Sequence, residues 1–255
     1  MRAALAVALL LVGGAAAADD RGYELHNKDA KRPAPLIVAL HCYSCPPTFV
    51  PEKLDLEELA RRHNALLAIP AGYSDASGNP FWNATPACCD FDGKRPDDVA
   101  YIARVIDDAV AKHGADAKQV YLIGMSNGGF LAYRVACERS TKIAAIVSIG
   151  GAGPAVCKPS SPVAVLEVHG RADDVVPVGG GVLGDGLPQR AKFPAARETL
   201  EVWARVDGCG APDRAGRRRC KRGAADLWML PGGHVPDFEG DFAEHLWQWL
   251  AGHRK

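Results

Sequence analysis

The sequence lacks an excess of charge of either sign, because 30 basic residues balance 30 acidic ones over 255 positions. A chain without a net positive field is not expected to bind nucleic acid or an anionic membrane surface. It also lacks a continuous apolar run of about 20 residues, the length that a membrane-spanning helix needs. We therefore expect a small or neutral partner and no stable membrane insertion.

A nucleotide-binding motif is missing as well. The glycine-rich segment 177–186 does not end in Gly-Lys-Ser or Gly-Lys-Thr, and it lacks the spacing of a dinucleotide-binding turn. We expect a surface loop there and no cofactor. Internal repeats and long low-complexity tracts are absent too. At 255 residues the length suits one α/β domain, so a single domain is expected.

The first residues have the pattern of a secretory signal peptide. Arg2 precedes an apolar stretch over residues 3–12, and small residues follow as far as Ala18. This order of charged, apolar and small residues is typical of a cleaved leader. We predict a signal peptide over residues 1–18, a single mature domain over 19–255, and a secreted protein, extracellular or periplasmic.

Eight cysteines in an exported chain predict disulfide bonds, because the compartment is oxidising. Local spacing favours two pairs, Cys137–Cys157 and Cys209–Cys220. The other four are expected to face each other with one or two bridges: Cys42, Cys45, Cys88 and Cys89. Their spacing is not the usual one for zinc ligands, so no metal is expected.

Short apolar runs alternate with amphipathic segments along the whole chain. The predicted strands cover residues 35–41, 65–70, 119–124, 143–150, 163–170 and 226–230, and the predicted helices cover 52–63, 96–113, 127–137, 198–206 and 238–253. Such alternation predicts an α/β fold, a mostly parallel twisted sheet with helices on both faces. Ligands of such sheets bind beyond the carboxyl ends of the strands.

A candidate nucleophile, Ser126, follows the third predicted strand. It lies within Gly124-Met125-Ser126-Asn127-Gly128, directly before a predicted helix. The pattern Gly-x-Ser-x-Gly between a strand and a helix predicts a sharp turn that presents the serine hydroxyl. In a chain with 27 glycines the pattern also arises by chance, so its position between the two elements carries the prediction.

A serine nucleophile needs a histidine base and an acid that orients it. Asp173 and Asp174 follow one predicted strand, and His234 follows the last one, in the chain order serine, acid, histidine that this fold requires. The remaining candidate histidines fall in helices, at helix ends, at a strand end or in the tail: His63, His113, His169, His245 and His253.

Backbone amides are the expected oxyanion donors. The first long predicted strand is followed by His41, Cys42 and Tyr43. Enzymes with a serine nucleophile on a Gly-x-Ser-x-Gly turn supply one oxyanion amide from this position. The second is the amide of Asn127, directly after the nucleophile. The expected donors are therefore Asn127 with Cys42 or Tyr43.

These motifs resemble a known group of enzymes. The motifs that carry the resemblance are the Gly124–Gly129 turn, His-Gly-Arg-Ala-Asp-Asp-Val-Val-Pro at 169–177, Pro-Gly-Gly-His at 231–234, and Trp-Asn-Ala at 82–84 followed by the double cysteine. The chain resembles secreted polyhydroxybutyrate depolymerase-like and feruloyl esterase proteins of the α/β-hydrolase fold. The resemblance covers residues from about 22 to 250 and includes the carbohydrate esterase family 1-like members.

The resemblance implies a cofactor-free serine esterase. It places the acid at Asp173 rather than Asp174, and it sets Trp82 and His41 beside the substrate, although a core-packing role for Trp82 stays open. Cys42 stands where the group usually has glycine, and Val178 replaces the usual aromatic residue after Pro177. The implied substrates are short polyhydroxyalkanoate oligomers or feruloyl and acetyl esters of polysaccharide. The alternatives are a peptidase, a lactone hydrolase or an inactive binding protein.

Overall fold

The computed structural model describes residues 21–154, 156–182 and 192–255. The predicted signal peptide lies outside this part of the chain, as does most of the second half of the glycine-rich segment. Within the described residues, no helix is both long enough and apolar enough to cross a membrane.

A mostly parallel sheet forms the centre of the molecule. The strands are β1 (Tyr23–His26), β2 (Ala34–Leu40), β3 (Leu66–Pro70), β4 (Tyr73–Ser74), β5 (Pro80–Phe81), β6 (Ala115–Met125), β7 (Ala145–Ile149), β8 (Ala164–Gly170), β9 (Gly181–Val182), β10 (Lys192–Phe193) and β11 (Ala225–Leu230). The main sheet has the order β1-β3-β2-β6-β7-β8-β11. Every pairing in it is parallel except that of β1 with β3. The predicted fold class is confirmed.

Helices cover both faces of this sheet. They are α1 (Phe49–Lys53), α2 (Leu56–Arg62), α3 (Asp98–His113), α4 (Asn127–Glu138), α5 (Ala196–Asp207) and α6 (Phe242–Ala251). Apolar residues of α3, α4 and α5 share one buried cluster, whereas those of α1, α2 and α6 share the other. The sheet is therefore buried on both sides, as its continuous apolar strands require.

Strand β2 shows how one segment supports both clusters. Leu36, Val38 and Leu40 belong to the first cluster, while Ile37 and Ala39 belong to the second. Successive side chains of a strand point to opposite faces of the sheet, so a run of apolar residues fills both.

The prediction of one continuous helix over residues 52–63 is wrong. The structure has two short helices, α1 and α2, and Asp55 between them has a φ of 48°. Leu54 and Leu56 are both buried. Residues two apart do not share one face of a continuous helix, so the break is what allows both side chains to reach the core.

Pairings of very short strands were not predicted. Strand β1 adds an antiparallel edge next to β3, and antiparallel pairings also occur between β4 and β5 and between β9 and β10. Segments of two to four residues carry too little of the alternating pattern to be recognised by periodicity.

All eight cysteines form disulfide bonds. The two favoured pairs, Cys137–Cys157 and Cys209–Cys220, are confirmed. The other four pair locally, as Cys42–Cys45 and Cys88–Cys89, so no bridge joins the two segments that were expected to face each other.

Candidate active site

The candidate nucleophile occupies a strained turn between β6 and α4. Ser126 has a φ of 52° and a ψ of −119°, a combination outside the left-handed helical region that a residue with a side chain rarely adopts. A Cβ atom on Gly124 would overlap the carbonyl of Gly128, and one on Gly128 would overlap the carbonyl of Leu40. The flanking glycines are therefore required by close backbone contacts, and the turn presents the hydroxyl at the carboxyl edge of the sheet.

The loop after β11 brings His234 to Ser126. The His234 Nε2 atom lies 2.8 Å from the Ser126 Oγ, and the Nδ1 atom lies 2.9 Å from the Asp173 Oδ2. A carboxylate oxygen can only accept, so Nδ1 carries the proton and Nε2 accepts the serine proton. The three predicted side chains thus form one continuous line of hydrogen bonds.

Asp173 is held by the loop that follows β8. Its Oδ1 atom accepts hydrogen bonds from the amides of Val175, at 3.0 Å, and Val176, at 2.8 Å. Burial alone would raise the pKa of Asp173, but hydrogen bonds from His169 and His234 outweigh it and hold this pKa well below the ordinary range. The neighbouring Asp174 is exposed, so the loop presents only Asp173 to His234.

A cavity of about 220 Å³ opens beside the serine and histidine. Its walls are mostly apolar and include both of the local disulfides; the residues besides Ser126 and His234 are Cys42, Tyr43, Cys45, Phe49, Cys88, Cys89, Met125, Val175, Val176 and Val235. Among the described residues, no lysine, arginine, aspartate or glutamate lines it. The cavity therefore suits a neutral, apolar group.

Three backbone amides near Ser126 are free to donate. The amide of Ser126 itself is occupied by the carbonyl of Ile149, at 2.7 Å. The amide of Asn127 is the first of α4, where helices have no internal acceptor. In the described part of the chain, no hydrogen bond uses the amides of Cys42 or Tyr43. The expected oxyanion donors are thus unoccupied, although their role stays a prediction.

His41 and Trp82 lie in the core rather than in the cavity wall. Both are fully buried, and the Trp82 Nε1 atom donates to the His41 carbonyl at 2.9 Å. The His41 Nε2 atom accepts from the amide of Gly72, at 2.9 Å, and burial lowers the pKa of His41 to about 4. The neutral ring and the indole therefore support the loop before Cys42, a position that corrects the expectation of direct substrate contact.

Trp82 also positions the residue after the nucleophile. The Asn127 side chain accepts from the Trp82 amide at 2.7 Å and donates to the Trp82 carbonyl at 2.9 Å. This two-point contact ties the start of α4 to the loop after β5. The motif Trp-Asn-Ala pointed to the site without showing that its effect is indirect.

Solved structures that share this architecture include esterases. The chain superposes on an acetyl xylan esterase from Aspergillus awamori with a TM-score of 0.66 and 15% identity, covering 91% of this chain and 94% of that one. A carboxylesterase from Mesorhizobium loti gives a TM-score of 0.60 and 19% identity, with 90% and 94% covered. The chain has the α/β-hydrolase fold.

The sequence is similar to those of several esterases. Residues 93–186 match the Phospholipase/Carboxylesterase family, a span that includes Ser126 and Asp173 and ends before His234. The chain is 32% identical over 164 residues to a putative esterase, NocK, from Nocardia uniformis subsp. tsuyamanensis, covering 60% of this chain and 44% of the relative. It is 28% identical over 158 residues to feruloyl esterase B of Piromyces equi, covering 59% and 28%. The resemblance to feruloyl esterases is confirmed.

The chain spans less than half the length of these two relatives. The matches therefore support the α/β-hydrolase fold of the chain and its similarity to esterases.

Proposed function

We propose that the protein is a carboxylic ester hydrolase that uses Ser126 as nucleophile, His234 as base and Asp173 as the acid that orients the base. The observation that carries the proposal is the line of two hydrogen bonds, 2.8 Å and 2.9 Å long, that joins these three side chains at the mouth of an apolar cavity. The esterase relatives support the same reaction class.

The reaction follows from the positions of the donors and acceptors. The His234 Nε2 atom removes the Ser126 proton while the hydroxyl oxygen attacks the ester carbonyl, and the resulting imidazolium donates from Nδ1 to Asp173. Amides of Asn127 and of Cys42 or Tyr43 then stabilise the oxyanion. The imidazolium protonates the departing alcohol, and water releases the acid from Ser126 by the same steps.

The cavity suggests which part of the substrate it binds. We expect it to take the acyl group, because its walls are apolar and carry no charged side chain in the described part of the chain. At about 220 Å³ it lies below the roughly 300–1,000 Å³ of cavities that hold drug-sized ligands. We propose that short acyl groups such as acetyl and hydroxybutyryl are preferred to the larger feruloyl group.

The activity is tested by assaying purified protein on aryl acetates, feruloyl esters and hydroxybutyrate oligomers. We expect hydrolysis of at least one of these esters, and we expect Ser126→Ala to lose it. Ser77→Ala, which alters an exposed serine, is the matched control and should keep wild-type activity. Equal activity of the wild type and Ser126→Ala would overturn the proposed nucleophile, and an inactive wild type would overturn the proposed reaction.

The preference for short acyl groups is tested with p-nitrophenyl esters of increasing chain length. We expect kcat/KM to fall beyond a few carbons, since each misfitting methylene costs about 1–3 kcal/mol. Phe49→Ala enlarges the cavity and should move the optimum to longer chains, while an unchanged optimum would show that the acyl group binds elsewhere.

We also propose that the enzyme acts outside the cytosol. Four disulfide bonds form and persist in oxidising compartments, which agrees with the signal peptide predicted over residues 1–18. Expression of the full chain in a secreting host, followed by N-terminal sequencing, should find a mature protein that begins near residue 19. Retention of the intact N-terminus in the cytosol would contradict the proposal.

A further inference from the structure

A second histidine contacts the acid of the proposed triad. His169, near the end of β8, is 1% exposed. Its Nε2 atom lies 3.3 Å from the Asp173 Oδ2 and 2.8 Å from the Val176 carbonyl oxygen. The same Oδ2 atom accepts from His234. One carboxylate oxygen therefore lies between two imidazole rings.

The partners of His169 define its protonation. The Val176 carbonyl can only accept, so the His169 Nε2 atom carries a proton. The Nδ1 atom lies 2.9 Å from the Glu167 Oε1, and the Tyr133 hydroxyl donates to the Glu167 Oε2 at 3.0 Å. One proton lies between His169 and Glu167, and whichever atom holds it, the pair has no net charge and keeps its Nε2–H.

The electrostatics of the pair agree with this assignment. Burial would lower the pKa of His169, but its hydrogen bonds to Asp173 and Glu167 outweigh burial and raise this pKa to about 10. Burial raises the pKa of Glu167. The ring therefore stays a donor toward Asp173 across the pH range in which an esterase works.

With His169 included, four N–H groups face the Asp173 carboxylate. Two amides donate to Oδ1 and the His234 N–H donates to Oδ2, while the single His169 Nε2–H is shared between the Val176 carbonyl oxygen at 2.8 Å and Oδ2 at 3.3 Å. An ionised carboxylate offers about four lone-pair sites, so this arrangement disfavours a rotated conformer of Asp173.

We propose that His169 is a positioning residue for the acid of the triad, one that fixes the orientation of Asp173 and weakens its basicity. The inference rests on the proposed function of the Ser126 site. A carboxylate with a second donor on Oδ2 can orient the His234 ring and stabilise its charged form without removing its proton.

The titratable groups that face His169 come from three other parts of the fold besides its own strand. Glu167 lies on β8, Tyr133 on α4, Asp173 in the loop after β8, and His234 beyond Asp173 in the loop after β11. The His169 ring faces two buried carboxyl groups, those of Glu167 and Asp173, and its removal takes an N–H donor from both. The electrostatic potential around Asp173 therefore becomes more negative.

The test compares His169→Asn, whose side chain is too short to reach Asp173, with His169→Gln, whose amide can still donate. With p-nitrophenyl acetate we expect His169→Asn to lower kcat by up to about a hundredfold, the effect of a misplacement of about 1 Å, with little change in KM. The acid limb of the kcat/KM profile should move to higher pH, because a more basic Asp173 favours the protonated imidazole. His169→Gln should restore part of kcat and of the profile.

Tyr133→Phe is the matched control. It removes the hydrogen bond at the far end of the network and leaves the His169 Nε2–H in place, so the acid limb should stay where it is in the wild type. If His169 has a purely structural role, His169→Asn and Tyr133→Phe should instead lose stability and active fraction in parallel. Their pH profiles should then superimpose on each other. Thermal unfolding of each variant separates these outcomes, and His169→Gln carries the test if His169→Asn does not fold.

A second readout does not depend on activity. The proton in the bond between the His234 Nδ1 and Asp173 should give a low-field NMR resonance, which we expect to move further downfield in His169→Asn as Asp173 becomes more basic. An unmoved resonance together with a wild-type acid limb would overturn the inference. A shifted resonance in a protein that hydrolyses none of the esters would uphold the role of His169 and overturn the proposed function.

Discussion

Two buried aspartates of this protein have opposite surroundings. Asp173, 8% exposed, lies in the loop after β8 and accepts hydrogen bonds on both oxygens. Asp207, 1% exposed, ends α5, and its side-chain oxygens make no hydrogen bond of good geometry among the described residues, although Lys255, Arg222 and the amides of Val163 and Ala224 offset part of the effect of burial. The pKa of Asp173 is held well below its ordinary range, whereas burial raises the pKa of Asp207 to about 7.

The comparison shows that burial does not decide the charge of a carboxyl group by itself. Both sites exclude water, and donors decide whether the ionised form is stable there. At Asp173 the loop and two histidine rings supply those donors, so the ionised form needed beside His234 is favoured. At Asp207 the same charge is opposed by its surroundings.

The largest effect is expected from Asp173→Asn, which removes the charge but keeps the size of the side chain. An amide at this position favours the wrong tautomer of His234, and in a serine triad the corresponding loss in kcat is about 10⁴-fold. Steady-state assays on p-nitrophenyl acetate measure it. A loss below tenfold would mean that Asp173 is not the acid.

A smaller effect is expected from Asp207→Asn, which should raise the free energy of unfolding instead of lowering kcat. An unsatisfied buried polar group costs about 1–3 kcal/mol, and the neutral amide avoids the part of that cost which comes from charge. Urea unfolding at pH 8 should therefore give a higher free energy of unfolding for the variant than for the wild type, with unchanged esterase activity. Equal stability at pH 8 would show that Asp207 is already well solvated.

The pH dependence of stability separates the two sites further. The folded pKa of Asp207 is above the value of about 3.9 for an unfolded chain, so its contribution is present below about pH 4 and lost as the pH rises through about 7. The folded pKa of Asp173 is depressed, so its contribution is present above about pH 4 and lost at lower pH. The advantage of Asp207→Asn should accordingly vanish near pH 4.

The smallest effect is expected from Asp174→Asn, next to the acid. Its side chain is exposed, and surface substitutions away from special features change stability by about 0.5 kcal/mol or less. Activity and melting temperature should match those of the wild type. A loss of activity like that of Asp173→Asn would instead assign the acid to Asp174.

The order of elements and the three side chains from Ser126 through His234 to Asp173 could be predicted from the sequence, because long apolar runs and strand-end positions carry strong signals. The side chains around that line were not. The alternating apolar residues of β8 gave no sign that Glu167 and His169 are part of a buried polar network, and the motif around Asp173 did not reveal a second imidazole on its carboxylate. Such contacts depend on which strands become neighbours.

The direct substrate contacts expected of His41 and Trp82 show a second limit. The motif located both residues close to the site, but only the packing shows that they lie behind the loop and fix it through backbone hydrogen bonds. The disulfide pattern is a third case. Spacing favoured the two distant pairs, whereas the local pairing of Cys42 with Cys45 and of Cys88 with Cys89 depends on the turn geometry around each.

The position of β11 in the sheet also bears on the proposed chemistry. Ser126 and Asp173 follow interior strands, but His234 follows β11, an edge strand that pairs only with β8 within the described sheet. A truncated chain that stops before residue 225 would hold the proposed nucleophile and acid without the proposed base. Under the proposed mechanism such a chain would not hydrolyse esters.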